Sequence, residues 1–126
     1  MITFDDVMKV EIQVGLVLSA EKIPATDKLL KLSVDFGTIL KHEAKPEANK
    51  TDMIEVNDIR QVVSGIAIAF LDPTVLVGKK FIFVTNLEPR KIKSFESQAM
   101  ILASGEGEGL TLFTPLKDVP PGSHLK

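Results

Sequence analysis

Alternation of hydrophobic and polar residues is the dominant pattern in this chain. In the first run the hydrophobic positions are Val10, Ile12, Val14, Leu16 and Leu18. In the second run they are Leu30, Leu32, Val34 and Phe36. A period of two residues predicts strands with one buried face. Gly15 predicts a bulge in the first strand, and Gly37 is expected to end the second.

Four more segments have the character of strands. They are Arg60–Ile66, Lys79–Leu87, Met100–Ala103 and Leu110–Thr114. Residues 38–59 have mixed charge and weak periodicity, with a Pro in the middle. We expect an extended hairpin there, with Ile39–Lys41 paired against Met53–Val56 and a mobile tip.

Two segments carry helix signals. Thr3 and Asp6 have the spacing of a capping box, which predicts a helical turn over Asp5–Lys9. Asp72 followed by Pro73 and later by Gly78 predicts a short helix, because Asp favours the N-cap and Pro the first helical position.

Five main strands with a short helix between the third and fourth predict an all-β protein with an OB-fold. We expect one five-stranded barrel domain over residues 1–126, with extra terminal strands and with 38–59 as an inserted hairpin. An OB-fold binds ligands on the face of strands 2 and 3 and with the loops between strands 1 and 2 and between strands 4 and 5. Here those loops are Lys22–Leu29 and Glu88–Ser97.

Composition narrows the class of protein. The 126 residues include no Cys, which excludes disulfides, thiolate metal sites and a Cys nucleophile. The first residues lack the basic and apolar regions of a signal peptide, and no apolar run approaches the ~20 residues of a membrane span. We therefore expect a soluble, cytoplasmic protein.

Charge is concentrated in one part of the chain. Five basic residues and one acid, Glu88, lie between positions 79 and 93, although the whole chain has a net charge of -2. The basic residues are Lys79, Lys80, Arg90, Lys91 and Lys93. This cluster indicates a focused binding surface for a polyanion at the predicted ligand loop.

The aromatic residues do not form an obvious platform for stacked bases. Phe81 and Phe83 share one face of a predicted strand and are expected in the core, whereas Phe95 fits either exposed stacking or inward anchoring. Without Trp or Tyr, a binder that relies on successive base stacking is disfavoured. Recognition of RNA shape and backbone is favoured instead.

Catalysis finds no support in the sequence. His42 and His124 are isolated, so we expect no metal site and no cofactor. Ser64 or Ser97 as a nucleophile would need a nearby base, and the central part of the chain has no His.

Several ordered motifs resemble the tRNA-binding domain family. They are E-I-Q-V-G (11–15), D-K-L-L-K-L-S-V-D-F-G (27–37), R-Q-V-V-S-G-I-A (60–67), L-V-G-K-K (76–80) and N-L-E-P-R-K-I-K-S-F-E-S-Q-A-M-I-L-A (86–103). The ending, 110–123, is also similar. That family includes free-standing tRNA-binding proteins, C-terminal domains or beta subunits of methionyl-tRNA synthetases, and CsaA-type export chaperones.

The resemblance implies an OB-fold homodimer that binds tRNA by shape, near the outer corner of the L, without catalysis. A methionyl-tRNA synthetase is the partner it suggests. The implied tRNA-binding residues are Asn86, Arg90, Lys91, Lys93, Ser97, Gln98 and Met100, with Lys28 and Lys31 extending the charged track. The apolar tail is expected to support the dimer through Leu110, Leu112, Phe113, Leu116 and Val119.

The chain departs from the family pattern at three positions. Gln13 stands where the family often has Arg, and Ser94 and Ala99 replace frequent glycines. The segment 38–59 is also longer than the usual connection between strands 2 and 3. A chaperone that holds unfolded polypeptides in an apolar groove is the alternative function. It is disfavoured because D-K-L-L-K-L and E-S-Q-x-M resemble the synthetase-linked branch more closely.

Overall fold

The computed structural model describes the backbone of residues 1–45 and 50–126 and the side chains of residues 1–42 and 53–126. It has one α-helix, α1 (Phe4–Met8), and the rest is mainly strand. The strands are β1 (Ile12–Lys22), β2 (Leu30–Lys45), β3 (Lys50–Ser64), β4 (Lys80–Val84), β5 (Arg90–Ile92), β6 (Phe95–Ser97), β7 (Met100–Ile101), β8 (Ala103–Ser104) and β9 (Thr111–Leu112).

Five strands form one curled antiparallel sheet in the order β3-β2-β1-β4-β7. The two edges of the sheet approach each other. The backbone N–H of Gln98 donates to the carbonyl of Gln61 on β3 at 2.8 Å. The backbone N–H of Val63 donates to the Ser97 hydroxyl at 3.0 Å. These bonds draw the sheet toward closure, as in the partly open barrel of an OB-like fold, and confirm the predicted fold class.

The concave side of the curl holds the hydrophobic core. Phe83 is fully buried, and its ring meets Phe36 edge-on with centroids 5.1 Å apart. The alternating positions predicted to face inward do so on β2, where Leu30, Leu32 and Val34 are buried. Phe81 is also buried, so the core assignment of both strand phenylalanines is confirmed.

The bulge in β1 does not lie at Gly15, as predicted. The register shifts between Val17 and Ser19 instead, at the half-exposed Leu18. Gly15 pairs regularly with Phe81, and a Cβ there would come within 2.5 Å of the Val34 side chain. The glycine is therefore required by packing, not by strand curvature.

Gly37 does not end the second strand, which was a wrong prediction. β2 runs on to Lys45, with a register irregularity between Asp35 and Thr38. Gly37 adopts a φ of +87° in this irregularity, so the backbone deforms there while the ladder continues. The expected pairing of 39–41 with 53–56 is confirmed as part of a long β2–β3 ribbon. The predicted mobile tip includes residues 46–49, which lie outside the described residues.

Both helix predictions correspond to helical turns. The capping box at α1 is complete, because the Asp6 N–H donates to the Thr3 hydroxyl and the Thr3 N–H donates to the Asp6 carboxylate. Between β3 and β4 the chain forms a 3₁₀ helix over Pro73–Leu76, N-capped by Asp72. A second 3₁₀ helix, Ala67–Ala69, was not predicted.

The tail packs back on the sheet. Lys80 Nζ lies 2.6 Å from the Asp118 carboxylate, and this hydrogen-bonded ion pair holds the pKa of Asp118 below its usual value. The Gln13 side chain donates to the Gly122 carbonyl at 3.1 Å. Gln13, at the position where the family often has Arg, therefore joins β1 to the tail. The predicted last strand is short, because only β9 pairs, with β8.

Across the described ranges, no helix is both long and apolar enough to cross a membrane.

Candidate nucleic-acid interface

The basic segment between β4 and β7 contains a tight hairpin, where the sequence predicted a loop. β5 pairs with β6, and Arg90 lies opposite Ser97. The two turn residues, Lys93 and Ser94, have φ values of 51° and 73°. Two positive φ values are typical of a type I′ turn, whose twist matches that of the two strands in a hairpin with a two-residue loop. Ser94, which replaces a glycine frequent in the family, therefore occupies backbone space that glycine adopts with less strain.

This β5–β6 hairpin displays its positive charges to solvent. Arg90, Lys91 and Lys93 are all exposed. Lys91 lies opposite Glu96 in the ladder, whereas Arg90 lies opposite a serine. A short ladder with a tight turn gives these three cations a more defined spacing than an irregular loop would.

Phe95 joins the hairpin to the main sheet. The Lys31 ammonium lies 5.1 Å from the centroid of its ring, within the range of a cation–π contact. Lys31 also lies 3.3 Å from the Glu21 carboxylate. The half-buried ring thus anchors the hairpin and does not stand free in solvent.

Lys28 lies in the loop between β1 and β2. Its backbone N–H donates to the Thr26 hydroxyl at 3.2 Å, and its carbonyl accepts from the Ala67 N–H at 3.1 Å. These bonds fix the backbone of Lys28, which is exposed. The neighbouring Leu29 lines the groove described below.

Three polar residues of the basic segment use their side chains within the chain itself. The Asn86 amide accepts from the Glu11 N–H at 2.8 Å and donates to the Lys9 carbonyl at 2.6 Å. The buried Ser97 hydroxyl accepts from Val63 and donates to a carbonyl. The Gln98 side-chain oxygen accepts from the Gln61 N–H at 2.9 Å. All three hold separate parts of the fold together.

Arg60 was not predicted from the sequence to have a role at this surface. Its guanidinium forms two bonds to the Asp58 carboxylate, at 3.1 and 3.0 Å. It also donates to the carbonyls of Thr85, at 2.6 Å, and Gln98, at 3.2 Å, and lies over the Phe36 ring. The available signal was a charged residue at the start of the strand predicted over Arg60–Ile66, because a charged side chain in a sheet is rarely buried without partners.

A groove of about 720 Å³ lies beside the hairpin. Its walls come from Leu29 just before β2, the end of β3 and the segment from Leu87 to Ile101. Arg90 and Met100 both line it, so the structure brings a predicted cation and the predicted apolar contact together. Met100 is 48% exposed, which leaves part of its side chain accessible from the groove.

The predicted site residues therefore divide by location. Arg90, Lys91 and Lys93 share the hairpin, and Met100 shares the groove with Arg90. Lys31 reaches the hairpin through Phe95. Asn86 lies apart from them, against the residues after α1. The surface can pair with phosphates through its exposed cations and cover a flat apolar group in its groove.

Comparison with known proteins decides the family. Residues 36–124, more than half of the chain, match the family model described as "Putative tRNA binding domain".

The chain belongs to the tRNA-binding domain family.

Sequence relatives of this tRNA-binding domain are methionine–tRNA ligases. The ligase of Methanoregula boonei is 46% identical over 126 residues, and that of Leptospira interrogans is 41% identical over 125 residues. These alignments cover 100% and 99% of this chain but only 16% and 15% of the respective ligases. The family resemblance inferred from the motifs is thus confirmed, and the domain is homologous to the C-terminal domain of these ligases.

Solved structures agree with this assignment. A MetRS related protein from Pyrococcus horikoshii matches with a TM-score of 0.75 and 36% identity, over 100% of this chain and 98% of that one. The CsaA chaperone protein from Picrophilus torridus matches with a TM-score of 0.73 and 25% identity, over 100% of both chains. The tRNA-binding domain is therefore more similar in sequence to the synthetase-related protein than to this chaperone.

Proposed function

We propose that this domain is a non-catalytic module that binds tRNA through the β5–β6 hairpin and the adjacent groove. The observation that carries the proposal is the concentration of three exposed cations on one short hairpin in a chain of net charge -2. A focused cation cluster neutralises a few phosphates at defined spacing, which suits a folded RNA better than a long uniform duplex.

Each predicted contact has a separate role in this proposal. Arg90 and Lys91 pair with phosphates, and Lys93 adds a third charge at the turn. Lys28 and Lys31 extend the charged track along the main sheet. Met100 covers a base or a ribose. These contacts carry little sequence information, so the domain would bind different tRNAs by shape, near the outer corner of the L.

The other three predicted contacts act differently in this proposal. Asn86, Ser97 and Gln98 were implied as tRNA contacts, and that remains a prediction. Their hydrogen bonds within the chain support a positioning role, in which Ser97 and Gln98 hold the hairpin against β3 and Asn86 holds the chain just after β4 against the residues after α1. Gln98 combines both roles most readily, because it is half-buried and its amide nitrogen points to no partner among the described residues.

We also propose that the domain serves a methionyl-tRNA synthetase in the cytoplasm, as an accessory subunit or as one domain of the enzyme. The domain spans about a sixth of the length of the ligase relatives, so aminoacylation itself would belong to other parts of such a protein. A domain that adds tRNA affinity raises the effective concentration of tRNA near the catalytic part.

A homodimer is the proposed assembly. The tail exposes Leu116 completely and Phe113 by about half, and α1 exposes Phe4. Apolar groups on two segments of the surface favour burial against a second copy. Light scattering at micromolar concentration should give twice the monomer mass of 13.8 kDa; a monomer would contradict this part of the proposal.

The binding proposal is tested by titrating the protein with unmodified tRNA transcripts at several salt concentrations. We expect an affinity that falls as salt rises, with a slope set by a few released counterions. Two transcripts for different amino acids should bind within a factor of about three of each other, because phosphate contacts dominate. Absence of binding at 50 mM salt would refute the proposal.

The chaperone function is the second candidate. Its support is the apolar groove together with the likeness to CsaA proteins. It predicts that the protein suppresses the aggregation of an unfolded polypeptide and does not retard tRNA at low salt. The opposite pattern would exclude it in favour of tRNA binding.

A further inference from the structure

Two half-exposed apolar side chains line the groove beside the hairpin. Leu87 is 49% exposed and Met100 is 48% exposed, and both line the groove. Ile92 and Leu29 add further apolar surface. Paired apolar side chains of this kind can cover both faces of a flat ring, as side chains do in proteins that bind an unstacked base.

The groove also carries two charges of opposite sign. Glu88 and Arg90 both line it and are both exposed. Neither belongs to the ion pairs found among the described residues. The Ser97 hydroxyl, which also reaches the groove, is occupied by its bonds to β3 and to Ala99. Glu88 is therefore an acceptor, and Arg90 a donor, that a ligand can use.

We propose that this groove binds one unpaired guanine base of the tRNA. Guanine offers two adjacent donors on its Watson–Crick edge, N1–H and the N2 amino group, which match the two oxygens of the Glu88 carboxylate. Adenine and cytosine offer one amino donor on that edge, and uracil offers one imino donor. In this arrangement Arg90 pairs with the phosphate of the same nucleotide or of the next one.

Charge complementarity favours a nucleotide over an unfolded polypeptide as the occupant. An apolar peptide side chain would fill the groove but would leave Glu88 and Arg90 partly desolvated without partners, which costs free energy. A guanine nucleotide supplies a pair of hydrogen-bond donors for the Glu88 carboxylate and a phosphate anion for the Arg90 guanidinium. This inference rests on the proposed tRNA-binding function and names the part of the RNA that the groove recognises.

Methionine methyl signals provide the direct test. The chain has four Met residues, and of these only Met100 is in the groove lining. Protein labelled with ¹³C at the methionine methyl groups is titrated with single-stranded UUGUU and UUAUU ribonucleotides. The Met100→Leu variant identifies the signal. We expect UUGUU to shift the Met100 signal and to bind roughly tenfold more tightly than UUAUU, the scale of one well-formed base contact.

The Glu88→Gln variant separates base recognition from general attraction. Loss of one negative charge should not weaken phosphate binding, but the preference for UUGUU over UUAUU should fall from roughly tenfold to about twofold or less. Glu106→Gln removes the same charge from an exposed loop outside the groove and should leave the preference unchanged.

The outcomes distinguish this inference from the function on which it rests. If tRNA binds but the Met100 signal does not move with either oligonucleotide, the groove does not hold a base and the inference is overturned. Equal affinity for both oligonucleotides, or a preference that persists in Glu88→Gln, overturns the guanine assignment. If an unfolded polypeptide moves the Met100 signal and neither tRNA nor the oligonucleotides do, both the inference and the tRNA function are refuted.

Discussion

The segment from Asn86 to Ala103 contains two groups of polar residues that differ in what their side chains do. In one group, the side chains of Asn86, Ser97 and Gln98 form hydrogen bonds with the backbone of β3 and of the residues after α1. In the other, Arg90 and Lys91 are exposed on a hairpin with a two-residue turn. Residues that stand side by side in one motif thus perform separate tasks.

The difference matters for how a family motif is interpreted. A motif can persist because its residues touch the ligand or because they hold the residues that do. Here Asn86 holds the start of the segment to the residues after α1, and Ser97 and Gln98 hold its later part to β3, so these three form the fastened group. Arg90 and Lys91, the exposed group, lie on the hairpin between these attachments. Affinity for RNA should follow the exposed group, and stability should follow the fastened group.

The largest effect is expected from Arg60, which completes the fastened group. Arg60→Ala removes the bonds to Asp58 and leaves the carbonyls of Thr85 and Gln98 without this donor. Loss of one partner from such a partly buried network should lower the free energy of unfolding by about 3 kcal/mol, measured by urea denaturation. Arg60→Lys keeps the positive charge but lacks the planar guanidinium that forms two bonds to Asp58, so it should give an intermediate loss of free energy of unfolding. A change below about 0.5 kcal/mol would contradict this role.

The second effect concerns the exposed group. Arg90→Ala combined with Lys91→Ala should weaken tRNA binding about 30-fold, or about 2 kcal/mol, with the free energy of unfolding nearly unchanged. The slope of log affinity against log salt should become shallower by about 1.8, because two phosphate contacts are lost.

A matched control for this double variant is Lys79→Ala combined with Lys117→Ala. Lys79 belongs to the basic cluster in the sequence, but in the structure it lines a different surface depression together with Lys117 and Asp118, so the pair removes the same charge away from the hairpin. Equal losses of affinity in the two double variants would show that overall charge, not the hairpin, determines binding.

The third prediction concerns the stability that the Ser97 hydroxyl, in the fastened group, provides. Ser97→Ala leaves the Val63 N–H without its acceptor and should lower the free energy of unfolding by about 1.5 kcal/mol. tRNA affinity at a temperature where the variant is folded should stay within about twofold of wild type, since the hydroxyl is buried. Ser104→Ala, at an exposed strand position, is the control and should be close to neutral. A tenfold loss of affinity with normal stability would instead identify Ser97 as an RNA contact.

The smallest effect is expected at the hairpin turn. Ser94→Gly relieves a positive φ of 73° but adds conformational freedom to the unfolded chain. The net gain should be about 0.5 kcal/mol, seen as a small rise in thermal midpoint. Gly109→Ala, outside the hairpin and with open space where the added Cβ would stand, tests whether any glycine change gives a similar shift. A lower midpoint for Ser94→Gly would show that the serine is not strained.

Much of the fold could be predicted from the alternation of residues, and the failures have physical causes. Period-two patterns located the core faces of β2 and β4, because burial on one face imposes that period. On β1 the prediction was wrong, since Val17 is fully buried whereas the predicted inward positions Val10 and Leu18 are exposed.

The position of the bulge could not be predicted from Gly15. Glycine is required at position 15 because a larger residue would clash with the side chains of Val34 and Phe36 in the core. Only the tertiary structure brings these residues together.

The candidate site was predicted in part. Arg90 and Lys91 could be predicted because charge and position pointed to the loop between strands 4 and 5, whereas Met100 was implied only by the family resemblance. The hairpin itself was missed, since its turn is formed by Lys93 and Ser94 and lacks the Asn-Gly signal typical of such turns. The hydrogen bonds of Asn86 join it to residues that lie 75 and 77 positions away in the sequence, so no local sequence pattern could predict them.

The most direct test of the division between the two groups is chemical-shift mapping of ¹⁵N-labelled protein on addition of tRNA. We expect the backbone amide signals of Arg90, Lys91 and Lys93 to shift, while the side-chain amide signals of Asn86 keep their positions because that amide remains bonded to Lys9. Large shifts of the Asn86 side-chain amide, with Arg90–Lys93 unmoved, would contradict this division.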